Sequence, residues 1–218
     1  MRYEVILLAL LLMQTSISPS AKAQDAAAMI IAVGGIEEGQ PIPEKFASCT
    51  ADGKGATRAG GNISPEVIWS GAPGTTKSYV VIVVDKDVPV NFESANKAGK
   101  TIATDAPRRD FYHWVLVDIP TSTLRLPEGG TPPGMVGRND MGSRSKSANG
   151  YDGPCPPWND ELLHHYHFQV YALDIPSLGL KAPFTGPQVK EAMKDHILAK
   201  SEVVGTYTTN QTKKKAAQ

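Results

Sequence analysis

The chain has 218 residues with 22 basic and 22 acidic side chains, a balance that gives no footing for a nucleic-acid or other polyanionic partner. The length suits one domain or two, and a 41% apolar share supports a packed core. Seventeen prolines and twenty glycines argue for many turns and against a helical bundle.

Residues 1–23 stand apart. Arg2 gives a positive start, Val5 to Met13 is unbroken apolar, and Ala21-Lys22-Ala23 has the small-x-small form of a cleavage site. This predicts a secretory signal cut before Gln24, hence a periplasmic or secreted protein. The alternative is an uncleaved anchor, but the apolar run is short for a membrane span, and no other segment approaches that length. Export lets Cys49 and Cys155 form a disulfide; two buried thiols is the other reading, and the sequence leaves both open.

Met29 to Val33 reads as an opening strand. Pro41 to Gly61 is rich in turn residues, and Asp52 to Gly61 reads as a mobile loop. Val67-Ile68-Trp69 is a short strand closed by Gly71-Ala72-Pro73-Gly74. Tyr79 to Asp85 is continuous β-branched sequence, which implies burial on both faces. Phe111 to Ile119 is a second buried strand and His167 to Leu173 a third, with Phe168, Val170 and Ala172 on one face. Thr185 and Gln188 form a capping box for a helix from about Gly186 to Lys200, with Val189, Ala192, Met193, His196 and Ile197 on its buried side. Val203 to Thr208 is a last strand. Residues 24–208 form the domain, and 209–218 reads as a disordered basic tail.

The chemistry concentrates in a few places. Asp85 places a carboxylate at the end of a buried strand, and Asp87 follows in a turn stiffened by Pro89; the Val88–Pro89 bond is open to either isomer. His113 lies inside an apolar strand. Gly153-Pro154-Cys155-Pro156-Pro157 is a stiff segment that lets backbone approach a ligand, and it runs toward His164, His165, Tyr166 and His167. Paired strand histidines suggest zinc, but no third ligand has a fixed spacing. There is no Gly-x-Ser-x-Gly elbow. Ser143-x-x-Lys146 lacks the companion motifs of penicillin-recognising enzymes. Nothing supplies a nucleophile, so the expectation is a binder and not an enzyme; the alternative is a His/Asp-dependent hydrolase with His113 or His164 as general base.

These residues resemble the phosphatidylethanolamine-binding protein family, its bacterial branch in particular, from about Phe46 to Tyr207. The resemblance is carried by Asn62-Ile63-Ser64-Pro65 with Trp69-Ser70, Asp85-Lys86-Asp87-Val88-Pro89, His113-Trp114 with Ile119-Pro120, Gly150 to Pro157, and His164-His165-Tyr166-x-Phe168 with Tyr171-Ala172-Leu173-Asp174. It implies a mostly β fold, two antiparallel sheets packed together with a few peripheral helices. It also implies a pocket for phosphate-like anions or phospholipid head groups, and modulation of a protein partner such as a serine protease or kinase. Carried over by position, the pocket uses Asp85, His113, His164 and Tyr166 with backbone from Gly153 and Pro154. Neither the motifs nor the resemblance implies a cofactor or a metal. The expected geometry sets Asp85 beside His113, with His164 and Tyr166 on the opposite wall, and protonation of the two histidines is expected to strengthen anion binding. Two substitutions depart from the family pattern, Lys86 for proline and His165 for arginine. The second removes a permanent cation and predicts a weaker or more pH-dependent pocket.

Overall fold

A computed structural model describes residues 28–145, 147 and 149–216 of the protein. The expected signal segment lies outside the described residues. In chain order the elements are β1 (Ile30–Val33), β2 (Cys49–Ala51), β3 (Thr57–Ala59), β4 (Val67–Ser70), β5 (Ser78–Pro89), β6 (Arg108–Ile119), β7 (Arg125–Leu126), β8 (Met135–Val136), β9 (His164–Leu173), α1 (Gly186–Met193), β10 (Ile197–Tyr207) and α2 (Gln211–Ala216). Five strands form one antiparallel sheet in the order β10-β9-β5-β6-β8; β1, β4 and β7 form a second, and β2 and β3 a hairpin.

The large sheet is the middle layer, which explains the unbroken apolar sequence of β5. Val81 and Val83 point toward the small sheet and pack with Val67, Trp69, Trp114, Leu126 and Phe168. Val80, Ile82 and Val84 point the other way and pack with Phe184, Val189 and Met193 at α1. Period-two alternation along one strand thus feeds two cores.

Two of the irregularities in the pairing of β5 with β6 lie beside one another. Val83 pairs with Trp114 and Val84 with Tyr112, so His113 is an extra residue in β6. Asp85 pairs with Phe111 and Val88 with Arg109, so β5 also carries an extra residue. A bulge re-aims side chains that strict alternation would send to the opposite face.

Several expectations need correction. The helix ends at Met193, and Ile197 opens a strand that pairs with β9 along its length. Strand pairing and the β-branched residues after His196 outweigh the helical spacing, and Ile197 is exposed. The capping interaction itself is present, with Gln188 Oε1 accepting from the Thr185 N–H at 2.9 Å. The expected loop Asp52–Gly61 is largely the β2–β3 hairpin, its turn held by Asp52 Oδ1 accepting from the N–H groups of Lys54 and Ala56. The tail at 209–218, expected to be disordered, contains α2. Asn210 Oδ1 caps the Thr212 N–H, and Lys213 and Lys214 pair with Glu161 and Glu44. Val88–Pro89 is trans; among the described residues the cis bond is Ala182–Pro183. No described helix is long and apolar enough to cross a membrane.

Candidate functional site

A cavity of about 240 Å³ opens where β5, β6 and β9 meet the segment 153–157. Its wall includes Asp85, Val88, Phe111, His113, Gly153, Cys155, His164 and Tyr166, and its mouth carries Phe92, Met141 and Arg144. Five of the six residues expected from sequence therefore face one space. The bulges account for much of this, since they bring Asp85 with Val88, and His113 with Trp114, onto the same side of the sheet.

Pro154 is the exception. Its carbonyl accepts from the Ser48 and Cys49 N–H groups and so faces the β2 hairpin, not the cavity. The same approach explains Gly153. A Cβ there would lie 1.8 Å from the Phe46 carbonyl oxygen, so no other residue fits without moving the backbone. Tyr151 Oη donating to the Phe46 carbonyl and Trp114 Nε1 donating to the Asn149 carbonyl hold the segment from both sides. Cys155 is joined to Cys49, closing the open question in favour of a disulfide between positions 106 residues apart.

The polar wiring differs from the expectation in one respect that changes the chemistry. Asp85 pairs with His164, not with His113. His164 Nδ1 lies 2.7 Å from Asp85 Oδ2, and its Nε2 lies 3.1 Å from Asp160 Oδ2. A ring nitrogen facing a carboxylate must donate, so both carry protons and the ring is an imidazolium. Burial opposes that charge, but the hydrogen bonds to Asp160 and Asp85 override it and raise His164 to about 9. Asp160 in turn takes two hydrogen bonds from the Arg108 guanidinium at 2.6 and 3.0 Å. Burial pushes the Asp160 carboxyl up, and His164 and Arg108 outweigh it to leave it below the usual range. Two carboxylates are thus matched by one imidazolium and one guanidinium in a buried chain of four charges.

His113 has a different role. Its Nδ1 lies 2.5 Å from the Asp152 carbonyl oxygen, and the Asp152 N–H returns a bond to the His113 carbonyl at 3.0 Å. A carbonyl only accepts, so Nδ1 holds the proton. Burial pushes His113 down, against the opposing pull of Asp85. The neutral ring presents an unprotonated Nε2, which no group among the described residues bonds, and the ring lines the cavity beside Tyr166 at a centroid distance of 5.2 Å. Asp152 is held by Asn62 and Asn139 on its two carboxylate oxygens. The expectation that both histidines donate to an anion fails for His164, which has spent both N–H groups on carboxylates; His113 has spent one, and its Nε2 donates only when the ring takes up a second proton.

Tyr166 is buried, and burial with the adjacent Asp85 keeps its hydroxyl protonated, well above the usual phenol range. His165 is turned away from the cavity and bonds Asp87 Oδ2 at 2.7 Å. Among the described residues Arg144 is an exposed cation at the rim. Sequence reasoning missed Asp160, Arg108 and Arg144; they lie outside the recognised motifs and carry no local signal. Among the described residues no group of His, Cys, Asp and Glu is arranged to hold a metal ion.

Comparison with known proteins agrees with this architecture. Residues 34–208 match the family model described as phosphatidylethanolamine-binding protein. A UPF0098 protein of Aquifex aeolicus is 33% identical over 171 residues, covering 78% of this chain and 83% of that one. A UPF0098 protein of Methanothermobacter thermautotrophicus is 36% identical over 172 residues, covering 76% and 89%. Among solved structures, a putative phosphatidylethanolamine-binding protein homologue of Chlamydia trachomatis, CT736, superposes with a TM-score of 0.62 at 32% identity, covering 83% of this chain and 97% of that one. Escherichia coli YbcL gives 0.65 at 27% identity, covering 84% and 99%.

Proposed function

Because the chain belongs to the phosphatidylethanolamine-binding protein family, we propose that its cavity receives a phosphate-like anion or a phospholipid head group and that the protein acts by binding. The observation that carries the reading is the buried chain Arg108–Asp160–His164–Asp85, which fixes one wall of a small open cavity before any ligand arrives. Such a wall costs little reorganisation on binding. Arg144 at the mouth supplies the positive charge that draws an anion in, since the charges of the wall cancel among themselves.

The proposal includes export by the segment 1–23 to the periplasm or beyond. The Cys49–Cys155 disulfide supports an oxidising compartment. It also includes modulation of a protein partner, for which the exposed Phe92 on the rim is the nearest apolar surface.

Titration calorimetry of the mature chain with phosphoethanolamine tests the proposal. One saturable site is expected, with its heat lost in His113→Ala. A flat titration at millimolar ligand contradicts it.

A further inference from the structure

The two sulfurs of the Cys49–Cys155 disulfide have different surroundings. Cys49, in β2, is 6% exposed and does not reach the cavity. Cys155 is exposed and lines the cavity beside Pro156 and Pro157. Seen from the cavity, the buried sulfur therefore lies behind the accessible one. A disulfide opens when a thiolate attacks one sulfur and the other departs, so access decides which sulfur is attacked. A thiolate inside the cavity meets Cys155 Sγ, and Cys49 Sγ is the sulfur that leaves. Arg144 at the mouth favours an anionic nucleophile.

The backbone around both sulfurs is held by bonds other than S–S. The Pro154 carbonyl accepts from the Ser48 and Cys49 N–H groups at 3.0 and 3.3 Å. Ser48 Oγ donates to the Gly153 carbonyl at 2.9 Å, and Tyr207 Oη donates to the Cys49 carbonyl at 2.9 Å. Opening the disulfide therefore leaves Cys49 and the segment 153–157 side by side, and the bond can form again.

We propose that the cavity face of this disulfide is a thiol-exchange site, at which a small thiol forms a mixed disulfide with Cys155 and frees Cys49. The bond between Cys155 Sγ and Cys49 Sγ breaks, and a new S–S bond joins Cys155 to the thiol. The electron pair leaves with Cys49 Sγ, which takes a proton from water. This step is redox-neutral. A second thiol attacking the sulfur of the first releases a small-molecule disulfide and leaves both cysteines reduced, the two electrons coming from the two thiols. The adduct fills the cavity, so thiol exchange and ligand binding exclude one another; that consequence rests on the proposed anion or head-group reading.

The test treats the folded mature chain with excess mercaptoethanesulfonate at about pH 8, where a small thiol is partly thiolate. Samples are quenched in acid and mapped by mass spectrometry. The rate of opening should rise in proportion to thiol concentration and lie within about tenfold of the rate for the urea-unfolded chain, with the adduct on Cys155. A disulfide reached only through unfolding would react more slowly by the unfolding equilibrium, a factor of about 10³ or more. Folded Cys49→Ser should react with dithiodipyridine, and Cys155→Ser should react only in urea. The kinetics of the unaltered protein decide the matter even where a variant does not fold. A rate independent of thiol concentration, or an adduct on Cys49, overturns the proposal. Phosphoethanolamine should slow the exchange. Exchange at Cys155 that phosphoethanolamine leaves unchanged upholds the thiol site and counts against the ligand reading of the cavity.

Discussion

His164 should make this protein lose stability in mild alkali. The ring lies between two buried carboxylates, and both its nitrogens donate to them. Its folded value of about 9 stands above the roughly 6.5 of an unfolded histidine. At about 1.4 kcal/mol per unit, the gap amounts to about 3 kcal/mol. The folded state holds the proton more tightly, so this contribution is fully present below about pH 6.5 and is lost as pH rises through about 9. Asp160 acts with the opposite sign at the acid end. Its folded value is depressed, so its contribution is present above the unfolded carboxylate range and lost as pH falls. His113, lowered by burial, also costs stability on acidification below about 6.5. Urea unfolding at closely spaced pH values from 6 to 9.5, at fixed ionic strength, checks the account. Wild type should fall by about 3 kcal/mol between pH 6.5 and 9, and His164→Asn should be flat there. A flat wild-type profile would refute the imidazolium bridge.

Gly153→Ala places a methyl group against the Phe46 carbonyl and should cost about 1–3 kcal/mol or more while closing the cavity, seen as a lower Tm and lost ligand heat. Replacing Cys49 and Cys155 together by serine opens a 106-residue loop and should cost about 4–5 kcal/mol in urea unfolding. Arg144→Ala should leave stability within about 0.5 kcal/mol, because the side chain is exposed, yet weaken binding of a phosphate monoester and reduce its salt dependence.

Much of the fold and the site was legible in the residues. The β-branched run of β5 announced a strand buried on both faces, and the capping residues Thr185 and Gln188 marked where α1 begins. Gly153 to Pro157 read as a rigid wall, and five expected residues do line one cavity. What sequence could not give is pairing. The assignment of Asp85 to His164, and not to His113, follows from the bulges and from strand register, which depend on neighbours far along the chain. Asp160 was hidden because its partner Arg108 is 52 residues away. The end of α1 was misjudged because helical spacing continues through Ile197 while the chain gains more by pairing with β9. The protonation of each histidine was likewise out of reach, since it is decided by whether a carbonyl or a carboxylate faces the ring.

The most direct measurement is a crystal structure of the mature chain grown at pH 6 with phosphoethanolamine. Density is expected in the cavity lined by Asp85, His113 and Tyr166, with a polar atom of the ligand within about 3 Å of His113 Nε2. An empty cavity at saturating ligand, or a ligand bound elsewhere on the surface, would contradict it.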